Sequence, residues 1–206
     1  MTIERVCLKS SRPEVGDRCR AILEKSAESS DDFLIVDDML DATVIISVLY
    51  DRILSPSIIH GRRCYNFHPG VLPGYRGAGA FSWAIINREK VSGITLHEID
   101  ERIDSGKIIS VCTFSILGKS TAEMIFREAM NILVNMFCYN LEDLVFGDYD
   151  TTPNLRGRFY NREDLEDERD LTRFVRAFTF DGKPNAFFID AEGERQELKF
   201  YTKETP

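Results

Sequence analysis

Two short runs of apolar residues constrain the fold of this chain more than any other feature. The runs FLIV (residues 33–36) and TVIISV (residues 43–48) are rich in β-branched residues and hardly alternate between apolar and polar side chains. Such runs are typical of strands that are covered on both faces. Apolar residues at helical spacing between residues 15 and 23 precede them. The alternation of helix and strand predicts an α/β fold with a mostly parallel sheet and flanking helices.

Two capping boxes predict where helices begin. Ser11 with Glu14 marks the first start, and Ser120 with Glu123 marks the second. The second box opens a long amphipathic pattern that ends at Gly147, a residue suited to a helix C-terminus. We expect this helix to close the core.

The middle of the chain predicts one more helix and two strands. Residues 79–89 favour a helix, and residues 93–99 and 107–116 favour strands on either side of the loop DERIDSG. We divide the chain into a core over residues 1–150 and an extension over residues 151–206.

The predicted extension contains a helix and a small antiparallel appendage. The charge-rich residues 161–171 predict a solvated helix face. The run RAFTF (residues 176–180) alternates, and NAFFI and RQELKFYT flank a turn at residues 191–193. This pattern predicts an antiparallel hairpin or a three-stranded unit.

Composition limits the classes of partner. The 206 residues are 43% apolar, enough for one substantial core, and the net charge of −8 argues against binding a polynucleotide through its phosphates. A small anion needs only a local group of arginines. The candidates for such a group are Arg62, Arg63, Arg76, Arg156, Arg158 and Arg162.

Signals for export, membrane insertion and metal binding are not found in the sequence. No window approaches eighteen consecutive apolar residues, and the first residues lack the pattern of a signal peptide. Five scattered cysteines without a CxxC pair favour buried free thiols in a reducing compartment. We therefore expect a soluble cytoplasmic protein that holds no metal and associates with no membrane.

Three polar residues are the candidates for catalysis. A strand that carries Asn66 and His68 two positions apart aims both side chains at the same face of the sheet. Amide and imidazole donors that meet at one oxygen stabilise negative charge there. A carboxylate such as Asp104, in the turn between two strands, would fix the imidazole and accept a proton. The same pair of residues also fits a strand end followed by a turn, so spacing alone leaves both interpretations open.

The motifs around these residues carry a family resemblance. The runs NFHPGVLPGYRGAGAFSWAI and SGITLHEIDERIDSGKII resemble the folate-dependent formyltransferases, whose signature is Asn-x-His-Pro, then Leu-Pro and Arg-Gly, then Asp-x-Gly. The match spans residues 45–109 and the helix that follows. The resemblance implies a Rossmann-like core that moves the formyl group of 10-formyltetrahydrofolate to an amine.

The resemblance also assigns roles to residues of this chain. Asn66 and His68 would stabilise the oxyanion of the tetrahedral intermediate, and Asp104 would assist deprotonation of the amine. The matching segments near the pterin suggest five cofactor-binding candidates. They are Leu49, Tyr50, Ile99, Asp100 and Arg102.

Three further residues are candidates for binding the acceptor. Arg76 and Gly77 belong to the Arg-Gly motif, and Trp83 is expected either to anchor the core or to cover the acceptor. His97 lies in a predicted strand and is expected to be a hydrogen-bonded structural residue.

The sequence departs from the family pattern at several positions. Gly70 stands where a serine is usual, and Ala80 stands where a proline is frequent. The first strand also lacks the glycine-rich turn of the purine-pathway members. The path of the catalytic loop is therefore not fixed by the resemblance.

Several acceptor classes compete. Methionyl-tRNA formyltransferases carry a larger, positively charged C-terminal domain, which this acidic chain lacks. Glycinamide ribonucleotide formyltransferases match in length but not in the N-terminal turn or the tail. A formyltetrahydrofolate hydrolase would carry an additional regulatory domain. A non-catalytic folate-binding module would not require all three catalytic candidates.

The tail favours the bacterial sugar N-formyltransferases, which act on nucleotide-linked amino sugars for surface polysaccharides. The run RFVRAFTFDGKPNAFFI resembles their helix exit and β-hairpin, which often mediates dimerisation. The aromatic residues of the tail are too many for a lone hairpin to bury, so they must pack on the core or on a second copy. We therefore expect a homodimer. These residues are Phe178, Phe180, Phe187, Phe188, Phe200 and Tyr201.

Overall fold

The computed structural model describes residues 3–118, 120–161, 171–189 and 194–198. The elements of the first half are β1 (Glu4–Ser10), α1 (Pro13–Glu28), β2 (Phe33–Ile35), β3 (Val44–Val48), α2 (Pro56–Ile59), β4 (Arg63–His68), β5 (Arg76–Gly77), α3 (Ala80–Ile86) and β6 (Val91–Glu98). Those of the second half are β7 (Ile108–Ser115), α4 (Ala122–Phe146), β8 (Phe159–Tyr160), α5 (Leu171–Phe178), β9 (Ala186–Ile189) and β10 (Arg195–Leu198).

The main sheet is mostly parallel, as the apolar runs predict. Within the described residues it has six strands in the order β2-β1-β3-β4-β6-β7. The first four strands run parallel to one another. Strand β6 pairs antiparallel with both β4 and β7. The predicted α/β fold class is therefore confirmed.

The two faces of the sheet differ in chemistry. One face packs against α1 and α4 through residues such as Val44, Ile46, Tyr65 and Phe67, and the Phe67 ring lies 5.8 Å from that of Phe137. The opposite face carries a smaller apolar cluster that includes Cys7, Ile45 and Cys64. Further along the same face, the buried side chains are polar. They are Ser47, His68, Thr95 and His97.

Both predicted capping boxes are wrong in detail. Helix α1 has Arg12 at its N-cap without a side-chain cap, because the Ser11 hydroxyl donates instead to Asp51, 2.6 Å away. Helix α4 is capped by Thr121, whose hydroxyl accepts from the backbone N–H of Met124 at 3.2 Å. The predicted stop is confirmed, since Gly147 ends α4 with a φ of 76°.

Within the described residues, the C-terminal part contains a two-stranded hairpin and no third strand beside it. The run RAFTF was predicted to alternate as a strand, but Arg176 and Phe178 belong to helix α5. Strands β9 and β10 pair antiparallel, and the described residues thus support the hairpin alternative. Phe178 and Phe180 pack against the core, whereas Phe187 is exposed. Residues 162–170, which form most of the predicted charged helix face at residues 161–171, lie outside the described residues.

After α4 the chain returns to the middle of the molecule. Residues 152–161, which we name the return segment, contact the loops that follow β4 and β6. Thr152 pairs with Ile108 through two backbone hydrogen bonds of 2.8 and 2.9 Å. Strand β8 pairs in parallel with β5, so that Phe159 lies opposite Arg76 and Tyr160 opposite Gly77.

Candidate active site

A row of polar side chains crosses three adjacent strands on the less apolar face of the sheet. Ser47 of β3 is the register partner of Asn66 of β4, and Asn66 is in turn the partner of His97 of β6. Side chains of directly paired residues lie on the same face and touch. The Ser47 hydroxyl donates to Asn66 Oδ1 at 2.9 Å, and Asn66 Nδ2 lies 3.2 Å from His97 Nε2.

The hydrogen bonds of this row fix the orientation of the Asn66 carboxamide. His97 Nδ1 lies 2.7 Å from the carbonyl oxygen of Glu98, so this nitrogen carries the proton and Nε2 accepts. Asn66 Nδ2 therefore donates to His97, and Asn66 Oδ1 accepts from Ser47. An amide nitrogen has two N–H groups. In the described part of the chain, the second N–H of Asn66 remains available to a ligand.

His68 ends β4 and is held at both ring nitrogens. Its Nε2 donates to the backbone carbonyl oxygen of Tyr75 at 2.6 Å, and its Nδ1 lies 3.4 Å from Asp104 Oδ2. The ring is only 3% exposed. Because Nε2 carries a proton, Nδ1 is the nitrogen that can take up or release a proton beside Asp104.

Asp104 lies between the two histidines. Its Oδ1 is 3.6 Å from His97 Nε2, and its Oδ2 accepts from the backbone N–H of Gly77 at 2.8 Å. Its φ of 51° is uncommon for a residue with a side chain. Such conformations persist only where the surrounding structure fixes them, and they cluster at active sites.

Opposing effects set the protonation of this pair. Burial lowers the pKa of His68 below its ordinary value, against the opposing charge of Asp104. Burial alone would raise the pKa of Asp104, but the charge of His68 and the Gly77 N–H help to hold that pKa below its ordinary value. The resting pair is therefore a neutral imidazole beside a carboxylate, in which Nδ1 of His68 is free to accept a proton.

A cleft of about 520 Å³ lies over the catalytic candidates. Asn66, His68, His97 and Asp104 line it. Residues that follow β1 and β3, such as Arg12 and the segment 49–54, line it as well. Ligands of open α/β sheets commonly bind beyond the carboxyl ends of parallel strands, where these residues lie.

All five cofactor-binding candidates line the same cleft, namely Leu49, Tyr50, Ile99, Asp100 and Arg102. Leu49 has a φ of 53°, so its backbone is also fixed in an uncommon conformation. Asp100 Oδ1 accepts from the Arg102 N–H at 2.9 Å and from the Ser105 hydroxyl at 2.7 Å. Asp100 thereby shapes the loop that carries Asp104, and binding of a cofactor by these residues stays a prediction.

The three acceptor-binding candidates do not lie together. Gly77 lines the cleft, but Arg76 and Trp83 lie outside it. The guanidinium of Arg76 donates to Asn154 Oδ1 at 2.8 Å and to the Leu155 carbonyl at 2.7 Å. Trp83 is 7% exposed, and its indole N–H donates to the Asn161 carbonyl at 3.0 Å, as a core anchor would.

Sequence reasoning missed two members of the site. The expectation that His97 is a hydrogen-bonded strand residue is confirmed, but one of its partners is the catalytic candidate Asn66, and Asp104 lies 3.6 Å away. Ser47 was not singled out at all. Both residues are register partners of Asn66. Only the order of the strands, which no local pattern states, would have revealed them.

The described residues contain neither a metal-binding cluster nor a membrane-spanning helix. No group of three or more histidine, cysteine or acidic side chains is arranged to hold a metal ion. No helix in the described ranges is both long and apolar enough to cross a bilayer. Cys7, Cys19 and Cys64 are buried, as predicted, whereas Cys112 is half-buried and Cys138 is exposed.

The chain resembles known proteins over most of its length. Residues 5–135 match the family described as formyl transferase. The dTDP-4-amino-4,6-dideoxyglucose formyltransferase of Mycobacterium tuberculosis is 29% identical over 178 residues, which cover 77% of this chain and 76% of the relative.

Solved structures share the fold. A sugar N-formyltransferase from Shewanella sp. has a TM-score of 0.86 at 18% identity and covers 100% of both chains. An N-formyltransferase from Helicobacter canadensis, in complex with folinic acid and dTDP-3-aminofucose, has a TM-score of 0.69 at 20% identity and covers 87% of this chain and 81% of its own. The family match extends over more than half of the sequence and includes the three catalytic candidates, and this chain therefore belongs to the formyl transferase family.

Proposed function

We propose that this protein is an N-formyltransferase that moves the formyl group of 10-formyltetrahydrofolate to the amine of a nucleotide-linked amino sugar. The observation that carries the proposal is the meeting of Asn66, His68 and Asp104 in one cleft that the cofactor candidates also line. Support for the sugar comes from the Mycobacterium tuberculosis relative, which is a dTDP-aminosugar enzyme. The Helicobacter canadensis structure holds a folate and a dTDP-aminosugar together.

The first step builds negative charge on the formyl oxygen. The acceptor amine forms a bond to the formyl carbon, and the electron pair of the carbonyl moves to oxygen. The unengaged N–H of Asn66 is the donor for this oxyanion. Such donors act chiefly in the transition state, since charge on the oxygen develops only there.

The second step is the transfer of a proton. The proton that leaves the amine passes to Nδ1 of His68, and the carboxylate of Asp104, 3.4 Å away, stabilises the imidazolium that forms. The protonated ring then adds a positive charge beside the oxyanion. When the intermediate collapses, the carbonyl forms again and the bond between the formyl carbon and N10 breaks. The leaving tetrahydrofolate nitrogen then takes the proton from His68.

The test is turnover with a defined panel of acceptors. Purified protein is incubated with 10-formyltetrahydrofolate and dTDP- or UDP-linked amino sugars, and release of tetrahydrofolate is followed together with the mass of the sugar product. We expect a gain of one formyl group on a dTDP-linked sugar. Release of tetrahydrofolate without a formylated sugar would instead indicate hydrolysis. No release with any acceptor would refute the proposal.

A cytoplasmic location, a homodimer and a role in surface polysaccharide synthesis remain predictions that accompany this proposal. The exposed Phe187 ring lies 4.1 Å from the guanidinium of Arg195 on the paired strand, so the hairpin presents an aromatic and a charged group side by side. Sedimentation of the purified protein would measure whether this face joins two copies.

A further inference from the structure

The return segment reaches both loops that carry the catalytic candidates. One loop follows His68 and includes Tyr75, Arg76 and Gly77. The other follows β6 and includes Asp104. Residues of the return segment contact both, because β8 pairs with β5 and Asn154 touches the Asp104 loop. The segment therefore connects two parts of the site that are distant in sequence.

Asn154 is the residue at the junction. Its Nδ2 donates to the carbonyl oxygens of Asp104 and Gly106, at 3.0 and 2.9 Å. Its Oδ1 accepts from Arg76 Nη2 at 2.8 Å, and the same Arg76 nitrogen donates to the Leu155 carbonyl at 2.7 Å. A single carboxamide thus joins the Arg76 strand to the turn that carries Asp104.

These contacts hold a part of the site whose backbone conformation is uncommon. Asp104 has a φ of 51°, a conformation that needs fixed surroundings. Asn154 fixes the carbonyl oxygen of Asp104, and the N–H of Gly77 fixes its carboxylate at 2.8 Å. Gly77 directly follows Arg76. The link between Arg76 and Asn154 therefore fixes both the backbone carbonyl and the side-chain carboxylate of Asp104.

From this geometry we infer that Asn154, held by Arg76, is a positioning residue that keeps the Asp104 carboxylate at its working distance from His68. The inference rests on the proposed function, because it assumes that Asp104 and His68 handle the proton of the acceptor amine. It gives Arg76 a role other than acceptor binding. The Arg76 guanidinium lies outside the cleft and is engaged by Asn154 and Leu155.

Steady-state kinetics of Asn154→Ala test the inference. A small displacement of a catalytic group lowers the rate strongly, so we expect kcat to fall roughly 10- to 100-fold. The KM values for folate and for the amino sugar should stay close to those of the unmodified protein, since Asn154 lies outside the cleft. Leu155→Ala is the matched control, because its side chain is 69% exposed and only its carbonyl takes part. This control should leave kcat unchanged.

A second variant covers the case in which Asn154→Ala does not fold. Arg76→Met keeps an unbranched side chain but removes Nη2, the nitrogen that donates to both Asn154 and Leu155. We expect it to lower kcat in the same way, with little change in KM. A rise in the KM for the amino sugar at unchanged kcat would indicate acceptor binding by Arg76 and overturn the inference. Unchanged kcat in a folded Asn154→Ala protein would overturn it as well.

One readout does not need turnover. The imidazole of His68 can be titrated by NMR in the unmodified protein, in Asn154→Ala and in Asp104→Asn. The charge of Asp104 raises the pKa of His68, so that moving or removing the carboxylate should lower it in both variants. A His68 titration that Asn154→Ala leaves unchanged would contradict the inference. If the unmodified protein formylates no acceptor, the proposed function fails, whereas this titration still decides the position of Asp104.

Discussion

Replacing Ser47 by alanine removes one hydroxyl from the sheet face beneath the cleft. That hydroxyl is 2.9 Å from Asn66 Oδ1, and Ser47 is only 5% exposed. The substitution leaves the carboxamide oxygen of the half-buried Asn66 without its donor. His97 still accepts from Asn66 Nδ2, so the carboxamide keeps one of its two anchors.

The expected effects follow from these contacts. Loss of one side-chain hydrogen bond costs about 0.5–1.5 kcal/mol in the free energy of unfolding. For a protein of this size, about 1 kcal/mol corresponds to a fall in Tm of about 2–4 °C. Complete loss of an oxyanion donor lowers kcat by about 100- to 1,000-fold in comparable sites. Partial loss of its orientation, worth about 1 kcal/mol, should lower kcat about fivefold.

The assay pairs this variant with a second buried serine. Ser82 is 6% exposed and donates to the Ala177 carbonyl at 2.7 Å, away from the cleft. Ser82→Ala should lower Tm by a similar amount and leave kcat unchanged. Tm is measured by scanning calorimetry, and kcat by release of tetrahydrofolate at saturating substrates. Equal kcat in the two variants would refute the argument that Ser47 orients the oxyanion donor.

Three further predictions concern the catalytic residues and the loop beside them. Asn66→Ala and His68→Ala should each lower kcat far more than they weaken folate binding, measured by calorimetric titration, because their contacts form chiefly in the transition state. A matching loss of folate affinity would contradict this. Asp104→Asn should lower the rate and move the acid limb of the kcat profile to lower pH, since loss of the carboxylate lowers the pKa of His68, which must be neutral to accept a proton. An unmoved limb would exclude the proton-handling role. Gly77→Ala should lower both Tm and kcat, because Gly77 has a φ of 89° and an added Cβ would meet the carbonyl of Tyr160. Native Tm and kcat in this variant would show that the chain tolerates a side chain there.

The sequence predicted Asn66 and His68 because their relation is local. Asn66 and His68 lie two residues apart on β4, and the strand period alone places them on one face. Asp104 was expected in a turn, and the structure places it there, 3.4 Å from His68. Their catalytic roles stay predictions, but all three side chains line the same cleft.

Other features depended on contacts between distant parts of the chain. Ser11 fits a capping box, yet its hydroxyl is taken by Asp51, forty residues later. Ser47 and His97 reach Asn66 only because β3 and β6 flank β4, an order that the sequence does not state. The role of the return segment was likewise not foreseen, since DYDTTPNLRGRF resembles any polar, turn-rich connection.

The return segment also affects how this enzyme can be divided or recombined. Three contacts cross the boundary predicted near residue 150. The Asn154 side chain donates to the Asp104 carbonyl, and the Trp83 indole donates to the Asn161 carbonyl. The Tyr160 ring stacks on that of Tyr75 at 5.2 Å. A fragment cut at that boundary would retain every catalytic candidate but lose the side chains that brace them. Chimeras between relatives should therefore inherit residues 63–161 from a single parent.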